Sequence, residues 1–304
     1  MKHIISVKQF LDKELLDMLC ASANDFSKLP LAEYPQPLKY LTLATLFYEP
    51  STRTRLSFET AIQNLGAHLI STENAAQFSS AAKGETIEDT TKMLNGYADG
   101  IVLRHSEVGA AERAAAVSDV PIINAGDGIG EHPTQALLDL FTIQKAKGKI
   151  DGLKIAMVGD LLNGRTIHSL VQLLAIYDVE LYLISPEGLK IPKQYIQLFE
   201  KNKVAYSEHA NWDDLLSIVD VLYMTRVQKE RFKLIEDYQA IKDDFILTPE
   251  LVKKMKKDAI ILHPLPRVNE IDPLVDDDPR ALYFVQAKNG LYMRMALLKY
   301  IYSN

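Results

Sequence analysis

The chain has 304 residues, of which 47% are hydrophobic and 24% charged, a composition typical of a globular protein long enough for two domains. Its 34 basic and 40 acidic side chains leave a net charge of −6, which excludes a broad positive field for nucleic acid or an anionic membrane. The single cysteine, Cys20, excludes a disulfide framework within one chain, and no apolar run approaches the roughly 20 residues of a membrane span. We therefore expect a cytoplasmic protein with neither a nucleic acid nor a membrane partner.

Short apolar runs alternate with amphipathic stretches along the chain. We predict strands at 41–47, 99–105, 121–126, 154–160, 179–186, 221–225 and 259–266. Helices are predicted between them, for example at 166–177 and 192–203, and a further one at 290–302. This alternation is typical of α/β folds with parallel sheets and helices on both faces. A polar segment at 146–152 suggests that there are two such domains.

The first cluster of polar side chains follows directly on the predicted strand at 41–47. Residues 50–55 read PSTRTR and lead into a helical stretch at 56–66. Such a helix start binds anions, because its first backbone N–H groups are unpaired and Ser, Thr and Arg side chains add further donors. The simpler interpretation is a capped helix with surface arginines. A GxxxxGK[ST] loop is absent, so we predict a phosphate site that is not a P-loop.

Other polar residues also follow predicted strands. Arg104, Arg165 and Arg226 each come after an apolar run, and His132 and Gln135 open a helix. Ligands of parallel α/β sheets bind beyond the carboxyl ends of the strands. We therefore expect the active site in a cleft between the two domains.

The segment FYEPSTRTR at 47–55 resembles the phosphate-binding signature of the aspartate and ornithine carbamoyltransferases. Further blocks resemble the same family in the same order, at 83–86, 103–105, 132–139 and 164–166. The blocks at 225–231 and 263–267 resemble the aspartate branch in particular. The resemblance implies a carbamoyl-phosphate-binding domain at 1–134, an aspartate-binding domain at 135–286, and a C-terminal helix at 287–304 that packs back on the first domain. The implied reaction gives N-carbamoyl-L-aspartate and phosphate from carbamoyl phosphate and L-aspartate, an early step of pyrimidine biosynthesis.

The resemblance also implies which residues bind carbamoyl phosphate: Ser51, Thr52, Arg53, Thr54, Arg104, His132, Gln135, Leu265 and Pro266. Arg53, Thr54, Arg104 and His132 are the implied catalytic residues. Negative charge grows on the carbonyl oxygen as an amine attacks the carbonyl carbon, so donors placed around that oxygen stabilise the transition state. Gln135 and the backbone carbonyls of Leu265 and Pro266 are implied to hold the amide nitrogen.

For aspartate, the resemblance implies that Arg165 binds the α-carboxylate and that Arg226 with Gln228 binds the β-carboxylate. Ser79 and Lys83 are implied to reach the active site of a neighbouring subunit from a mobile loop, and Lys83 is implied to bind aspartate there. A shared site of this kind makes a homotrimer the smallest complete assembly. A second lysine that the family pattern often carries is replaced here by Ala82. Glu49 is implied to bridge to Arg165 and Arg231 when the domains close.

The implied mechanism uses neither a metal nor a cofactor, since the nucleophile is the substrate amine and the leaving phosphate accepts its proton. The family contains free trimers as well as larger assemblies with a regulatory chain, and no residue pattern distinguishes these two states.

Three alternatives remain open at this point. Ornithine carbamoyltransferases share the phosphate half but use HCLP-type and SMG-type segments, where this chain has HPLP at 263–266 and no SMG. A nucleotide-dependent oxidoreductase is suggested by the strand at 154–160, although no GxGxxG follows it. The third alternative is a catalytically silent scaffold subunit, against which the intact set of charged residues argues.

Overall fold

The computed structural model describes residues 3–212, 214–226 and 245–303. The chain divides into two compact units: Met1–Phe141 with Lys288–Asn304, and Thr142–Ala287. Each unit contains one parallel β-sheet with helices between its strands, which confirms the predicted fold class.

The first unit contains a four-stranded sheet with the strand order β2-β1-β3-β4, in which every pairing is parallel. Its elements are α1 (Lys13–Lys28), β1 (Thr42–Phe47), α2 (Thr52–Asn64), β2 (His68–Glu73), α3 (Ala75–Phe78), α4 (Ile87–Leu94), β3 (Gly100–His105), α5 (Ala110–Val117), β4 (Ile122–Asp127) and the start of α6 (Pro133–Lys147).

The second unit contains a five-stranded parallel sheet with the order β7-β6-β5-β8-β9. Its elements are β5 (Lys154–Val158), α7 (Arg165–Leu174), β6 (Glu180–Ile184), α8 (Lys193–Asn202), β7 (Ala205–His209), β8 (Val221–Met224), α9 (Pro249–Val252), β9 (Ile260–Leu262) and the start of α10 (Tyr283–Tyr302). The chain passes from one unit to the other within α6 and again within α10.

The central strands are the apolar runs that the sequence shows. In β1 every residue after Thr42 is buried, as expected for a strand covered on both faces. Complete burial of a side chain such as Leu43 or Phe47 contributes roughly 1.5–3 kcal/mol to folding. Continuous apolar runs therefore mark the central strands of each sheet. The polar residues described below lie at or after the carboxyl ends of the strands.

The two strands that the sequence did not predict, β2 and β7, lie at sheet edges. Their sequences, HLISTE and AYSEH, are partly exposed along their length. Because these two strands are partly exposed to solvent, they lack a continuous apolar run, unlike the fully buried edge strands β4 and β9.

None of the helices in the described residues is both long and apolar enough to cross a membrane.

Candidate active site

The predicted phosphate site lies where β1 leads into α2. Ser51 precedes the helix, and its hydroxyl makes no capping bond to the helix backbone. The two arginines of this turn differ in their surroundings. Arg55 pairs with Glu59 at 3.2 Å and with Glu73 at 2.8 Å. Arg53 keeps solvent access, while the protein around it desolvates its guanidinium and lowers its pKa from the ordinary arginine range. Arg55 is thus paired with two acidic side chains, whereas Arg53 is exposed at the start of α2.

Arg104 lies beside this turn, because β3 pairs with β1 and places Arg104 opposite Phe47. The backbone N–H of Tyr48 donates to the Arg104 carbonyl at 2.9 Å. The guanidinium donates to the carbonyl of Ala125 at 3.2 Å and forms an ion pair with Glu49 at 3.4 Å. These contacts hold a largely buried cation next to the start of α2.

His132 comes at the end of a tightly held loop between β4 and α6. The Asp127 carboxylate accepts from the backbone N–H groups of Glu131 at 2.8 Å and Gly109 at 3.0 Å. Gly128 has a φ of +52°, and a Cβ there would lie 2.3 Å from the carbonyl oxygen of Ser106, so only glycine fits. His132 is the last residue of this loop, directly before α6, and it is 4% exposed.

Gln135 lies in the first turn of α6, three residues after His132. Its side-chain amide donates to Asp139 at 2.8 Å. In the first unit, Arg104 lies at the carboxyl end of β3, and Arg53, His132 and Gln135 lie in the segments that follow β1 and β4. These three strands are neighbours in one sheet.

Ser79 and Lys83 lie in a segment that forms short helical turns. Ser79 follows α3, its hydroxyl donating to the Ala75 carbonyl at 2.6 Å and accepting from the N–H of Ala81 at 3.2 Å. A single 3-10 turn, Ser80–Lys83, ends at Gly84. Lys83 and the preceding Ala82 are exposed. The sequence predicted only a loop here, because the run of small and polar residues lacks a helical pattern.

In the second unit, Arg165 and Arg226 follow the adjacent strands β5 and β8. Arg165 is the first residue of α7. Arg226 comes directly after Thr225, whose backbone N–H donates to the Val158 carbonyl at 2.8 Å. Gly159 has a φ of +115°, and a Cβ there would lie 2.2 Å from the Thr225 carbonyl oxygen. This close approach keeps the ends of β5 and β8 together, and both arginines are only half-buried.

The loop after β9 carries Leu265 and Pro266. Leu265 has a φ of +51°, a left-handed conformation that costs a non-glycine residue about 1 kcal/mol. The His263 ring holds this conformation, since its Nδ1 accepts from the Leu265 N–H at 2.8 Å and its Nε2 lies 2.7 Å from Glu270. The other Glu270 oxygen accepts from the N–H of Val268 at 3.0 Å.

Arg267 is the last residue of the HPLPR block at 263–267, and it is held by contacts inside the second unit. Its guanidinium donates to both Asp276 oxygens and, at 3.1 Å, to the Tyr283 hydroxyl. These contacts anchor the loop. Because β5, β8 and β9 are consecutive in the sheet, Arg165, Arg226 and the Leu265 loop follow neighbouring strand ends.

Two family models match the chain in succession. The aspartate/ornithine carbamoyltransferase carbamoyl-P binding domain matches residues 2–145, and the Asp/Orn binding domain matches residues 151–301. The chain belongs to the aspartate/ornithine carbamoyltransferase family. Among its relatives, the chloroplastic aspartate carbamoyltransferase of Arabidopsis thaliana is 51% identical over 302 residues, which cover 98% of this chain and 77% of that protein. The aspartate carbamoyltransferase catalytic subunit of Methanocaldococcus jannaschii is 50% identical over 98% of this chain and 97% of its own length.

Solved carbamoyltransferase structures share the fold. The catalytic subunit of M. jannaschii aspartate transcarbamoylase superposes with a TM-score of 0.91 and 48% identity, covering 99% of this chain and 98% of that one. Aspartate transcarbamoylase from Trypanosoma cruzi in complex with N-(phosphonacetyl)-L-aspartic acid gives a TM-score of 0.92 and 38% identity, with coverages of 98% and 94%.

The predicted carbamoyltransferase residues are distributed over both units. Gln228 lies outside the described residues, as does Arg231. Glu49, expected to bridge to the second domain, pairs with Arg104 in the first unit. The sequence interpretation missed Asp139 and Glu270, although Asp139 lies four residues after Gln135 on one helix face and Glu270 closely follows the HPLPR block.

Proposed function

We propose that this chain transfers the carbamoyl group of carbamoyl phosphate to the amine of L-aspartate, giving N-carbamoyl-L-aspartate and phosphate. The observation that carries the proposal is the set of polar residues at the strand ends: an anion site with Arg53 and Arg104 in one unit, and two half-buried arginines, Arg165 and Arg226, in the other. Relatives about half identical to the chain are named aspartate carbamoyltransferases, and the T. cruzi relative has been solved with carbamoyl phosphate and aspartate. The reaction would serve as an early step of pyrimidine biosynthesis.

Carbamoyl phosphate binds at the start of α2. Ser51, Thr52, Arg53 and Thr54 present hydroxyl, backbone and guanidinium donors to the phosphate, and the helix dipole favours its charge. Arg104 lies next to this turn and contacts both the phosphate and the carbonyl oxygen. Its ion pair with Glu49, at 3.4 Å, keeps the guanidinium directed at this side of the sheet.

The carbonyl carbon is attacked by the aspartate amine. The C–N bond forms, the C–O bond to phosphate breaks, and the phosphate leaves with the electron pair and accepts the amine proton. Thr54, Arg104 and His132 donate to the carbonyl oxygen as its negative charge grows, and preplaced donors of this kind are among the strongest catalytic contributions known. Gln135 and the carbonyls of Leu265 and Pro266 orient the NH2 group, so that the substrate is bound close to its reacting geometry.

Aspartate binds through its two carboxylates. Arg165 takes the α-carboxylate, and Arg226 with Gln228 takes the β-carboxylate, since a planar guanidinium matches a carboxylate through two parallel hydrogen bonds. A cationic ornithine side chain would meet Arg226 with like charge, which makes an ornithine-type activity the less favourable alternative.

The active assembly is a homotrimer in which Ser79 and Lys83 complete the active site of a neighbouring subunit. Their place on an exposed turn supports this assignment, because Lys83 has solvent access and no role in the core. We place the protein in the cytoplasm, where a lone thiol such as that of Cys20 stays reduced.

A binding experiment tests both halves of the site together. N-(Phosphonacetyl)-L-aspartate carries a phosphonate and both aspartate carboxylates in one molecule, so calorimetry should show tight binding to the unaltered chain. Arg104→Ala should remove a charged hydrogen bond to the phosphonate end of this molecule, and Arg226→Ala should remove one to a carboxylate. Each change should weaken binding by a factor of roughly 100 or more. Unchanged affinity in either variant contradicts the assignment of that half.

A further inference from the structure

Gln135, which is predicted to bind the substrate NH2 group, forms a hydrogen bond with a buried acidic residue of the first unit. Asp139 is fully buried on the same face of α6, and its Oδ1 accepts from Gln135 Nε2 at 2.8 Å. Arg294 of α10 is 3% exposed, and its guanidinium lies 5.1 Å from the centre of the Phe58 ring. Burial lowers the pKa of Arg294 to about 10, against the opposing effect of the Asp139 charge. Arg294 is therefore a cation at neutral pH, and Asp139 has this buried cation in its surroundings.

The chemistry of the Gln135–Asp139 bond determines which way the glutamine amide points. The two ends of a glutamine amide have nearly the same shape, so shape alone does not distinguish them. The NH2 end of the glutamine faces Asp139, since Gln135 Nε2 donates to an Asp139 carboxyl oxygen. The carbonyl oxygen, Oε1, then lies at the other end of the amide, away from the Asp139 carboxylate.

We propose that Asp139 is a positioning residue that directs the Gln135 carbonyl oxygen at the substrate NH2 group, and so makes the site select a carbamoyl over an acetyl phosphate. This inference rests on the proposed function and names the contact that gives the site its specificity for the carbamoyl group. Acetyl phosphate carries a methyl group in place of NH2 and has nearly the same shape, so a hydrogen-bond acceptor at this point is what distinguishes the two. With acetyl phosphate the same bond changes would give N-acetyl-L-aspartate and phosphate.

The competing explanation is that Asp139 serves only as the buried counter-charge of Arg294. A structural role of this kind would lower the rates with both acyl phosphates together. A positioning role changes the ratio of the two rates, because only the carbamoyl group offers hydrogen atoms to Gln135. The ratio of kcat/KM for carbamoyl phosphate to kcat/KM for acetyl phosphate is therefore the informative quantity.

The test compares two neutral side chains of similar size at position 139, Asp139→Asn and Asp139→Leu, both combined with Arg294→Met. Removing both charges together leaves no unpaired buried ion, which favours folding of both variants. Asparagine can turn either its amide oxygen or its NH2 group toward Gln135, whereas leucine offers neither an acceptor nor a donor. Melting temperature and binding of inorganic phosphate establish that each variant is folded with an intact phosphate site.

Relative to the unaltered chain, we expect the leucine variant to lower the rate ratio by about tenfold or more, the scale of one hydrogen bond. The asparagine variant should lower the ratio by a smaller factor, because its amide oxygen accepts from Gln135 Nε2 in only one of its two orientations. Gln135→Leu, which leaves Asp139 and Arg294 unchanged, should lower the ratio at least as far as the leucine variant does. If the leucine variant fails to fold, Asp139→Ala in the same background removes the acceptor without its bulk. A rate ratio equal to that of the unaltered chain in both variants would overturn the proposal, whereas no carbamoyl-aspartate from the unaltered chain would instead overturn the proposed function.

Discussion

His263 Nε2 lies 2.7 Å from Glu270 Oε1, in the interior of the second unit. Since His263 Nδ1 accepts from the Leu265 N–H, its Nε2 carries the ring proton and donates to the carboxylate. Burial alone would raise the pKa of Glu270, but the bonds from His263 and from backbone N–H groups outweigh burial and lower it. A buried, ionised carboxylate thus fixes the loop that carries Leu265 and Pro266.

Replacing Glu270 by glutamine removes the charge and leaves the shape. Because Glu270 is 5% exposed and bonded through both oxygens, we expect the free energy of unfolding to fall by about 2 kcal/mol, the effect of losing charge-assisted hydrogen bonds. We also expect a raised KM for carbamoyl phosphate, since the Leu265 loop would be less well held. Denaturant unfolding and steady-state kinetics measure the two effects. Glu208 is exposed, so Glu208→Gln is the matched control and should change neither the free energy of unfolding nor the KM. Equal values of both quantities in the two variants would contradict this role of Glu270.

The lowered pKa of Glu270 predicts how its contribution depends on pH. A carboxyl group whose pKa is lower in the folded state stabilises the fold above its unfolded pKa of about 4.3, and this contribution is lost as the pH falls through the folded value. The difference in melting temperature between the unaltered chain and Glu270→Gln should therefore be largest near neutral pH and shrink below about pH 4. A difference that grows in acid would show that the carboxyl group is protonated in the native protein.

The two arginines at the start of α2 should respond differently to removal. Arg53→Ala should reduce kcat/KM by a factor of roughly 100 to 1000, as for loss of one preplaced charged donor, with little change in stability. Arg55→Ala should instead cost up to about 1 kcal/mol of stability, because it breaks a partly buried ion pair with Glu59 and a more exposed one with Glu73. Kinetics and thermal melts of both variants check this contrast, and a larger kinetic loss at Arg55 would reverse the assignment.

Arg226 is expected to determine the affinity for aspartate. Arg226→Ala should raise the KM for aspartate at least tenfold, since a carboxylate loses its charged partner, while the KM for carbamoyl phosphate stays nearly constant. The exposed Lys254→Ala controls for loss of one positive charge in the same unit. A parallel rise of both KM values would indicate damage to the fold of the unit.

Shared active sites predict that two inactive variants restore activity to each other. When Arg53→Ala and Lys83→Gln chains are dissociated, mixed in equal amounts and reassembled, about one quarter of the sites should combine an intact Arg53 with an intact Lys83 from a neighbour. Activity of the mixture, compared with each variant alone, measures this. The double variant treated in the same way should stay inactive, and absence of any recovery in the mixture would argue against a shared site.

The sequence predicted those parts of the molecule that depend on local patterns. Continuous apolar runs located β1, β3, β5 and β8, because central parallel strands are buried on both faces. The edge strands β2 and β7 were missed, since half-exposed strands lack such a run. The residues at the strand ends were found, whereas Arg294 was not, because its place near Asp139 depends on the return of α10 to the first unit.

The different surroundings of Arg53 and Arg55 are another property that the motif alone does not show. Both lie in the same PSTRTR block, but Glu59 and Glu73 lie close enough to pair with Arg55 only in the folded chain. Likewise, the HPLPR block marked Leu265 and Pro266, while the bond from His263 to Glu270 that holds them appears only in the structure.

The most direct test of the account is turnover by the purified chain, without added metal or nucleotide, of carbamoyl phosphate with L-aspartate and, in parallel, with L-ornithine. We predict N-carbamoyl-L-aspartate and phosphate in equal amounts from the first pair and no citrulline from the second. Citrulline formation would contradict the assignment of Arg226 and Gln228, and absence of product from both pairs would contradict the proposed reaction itself.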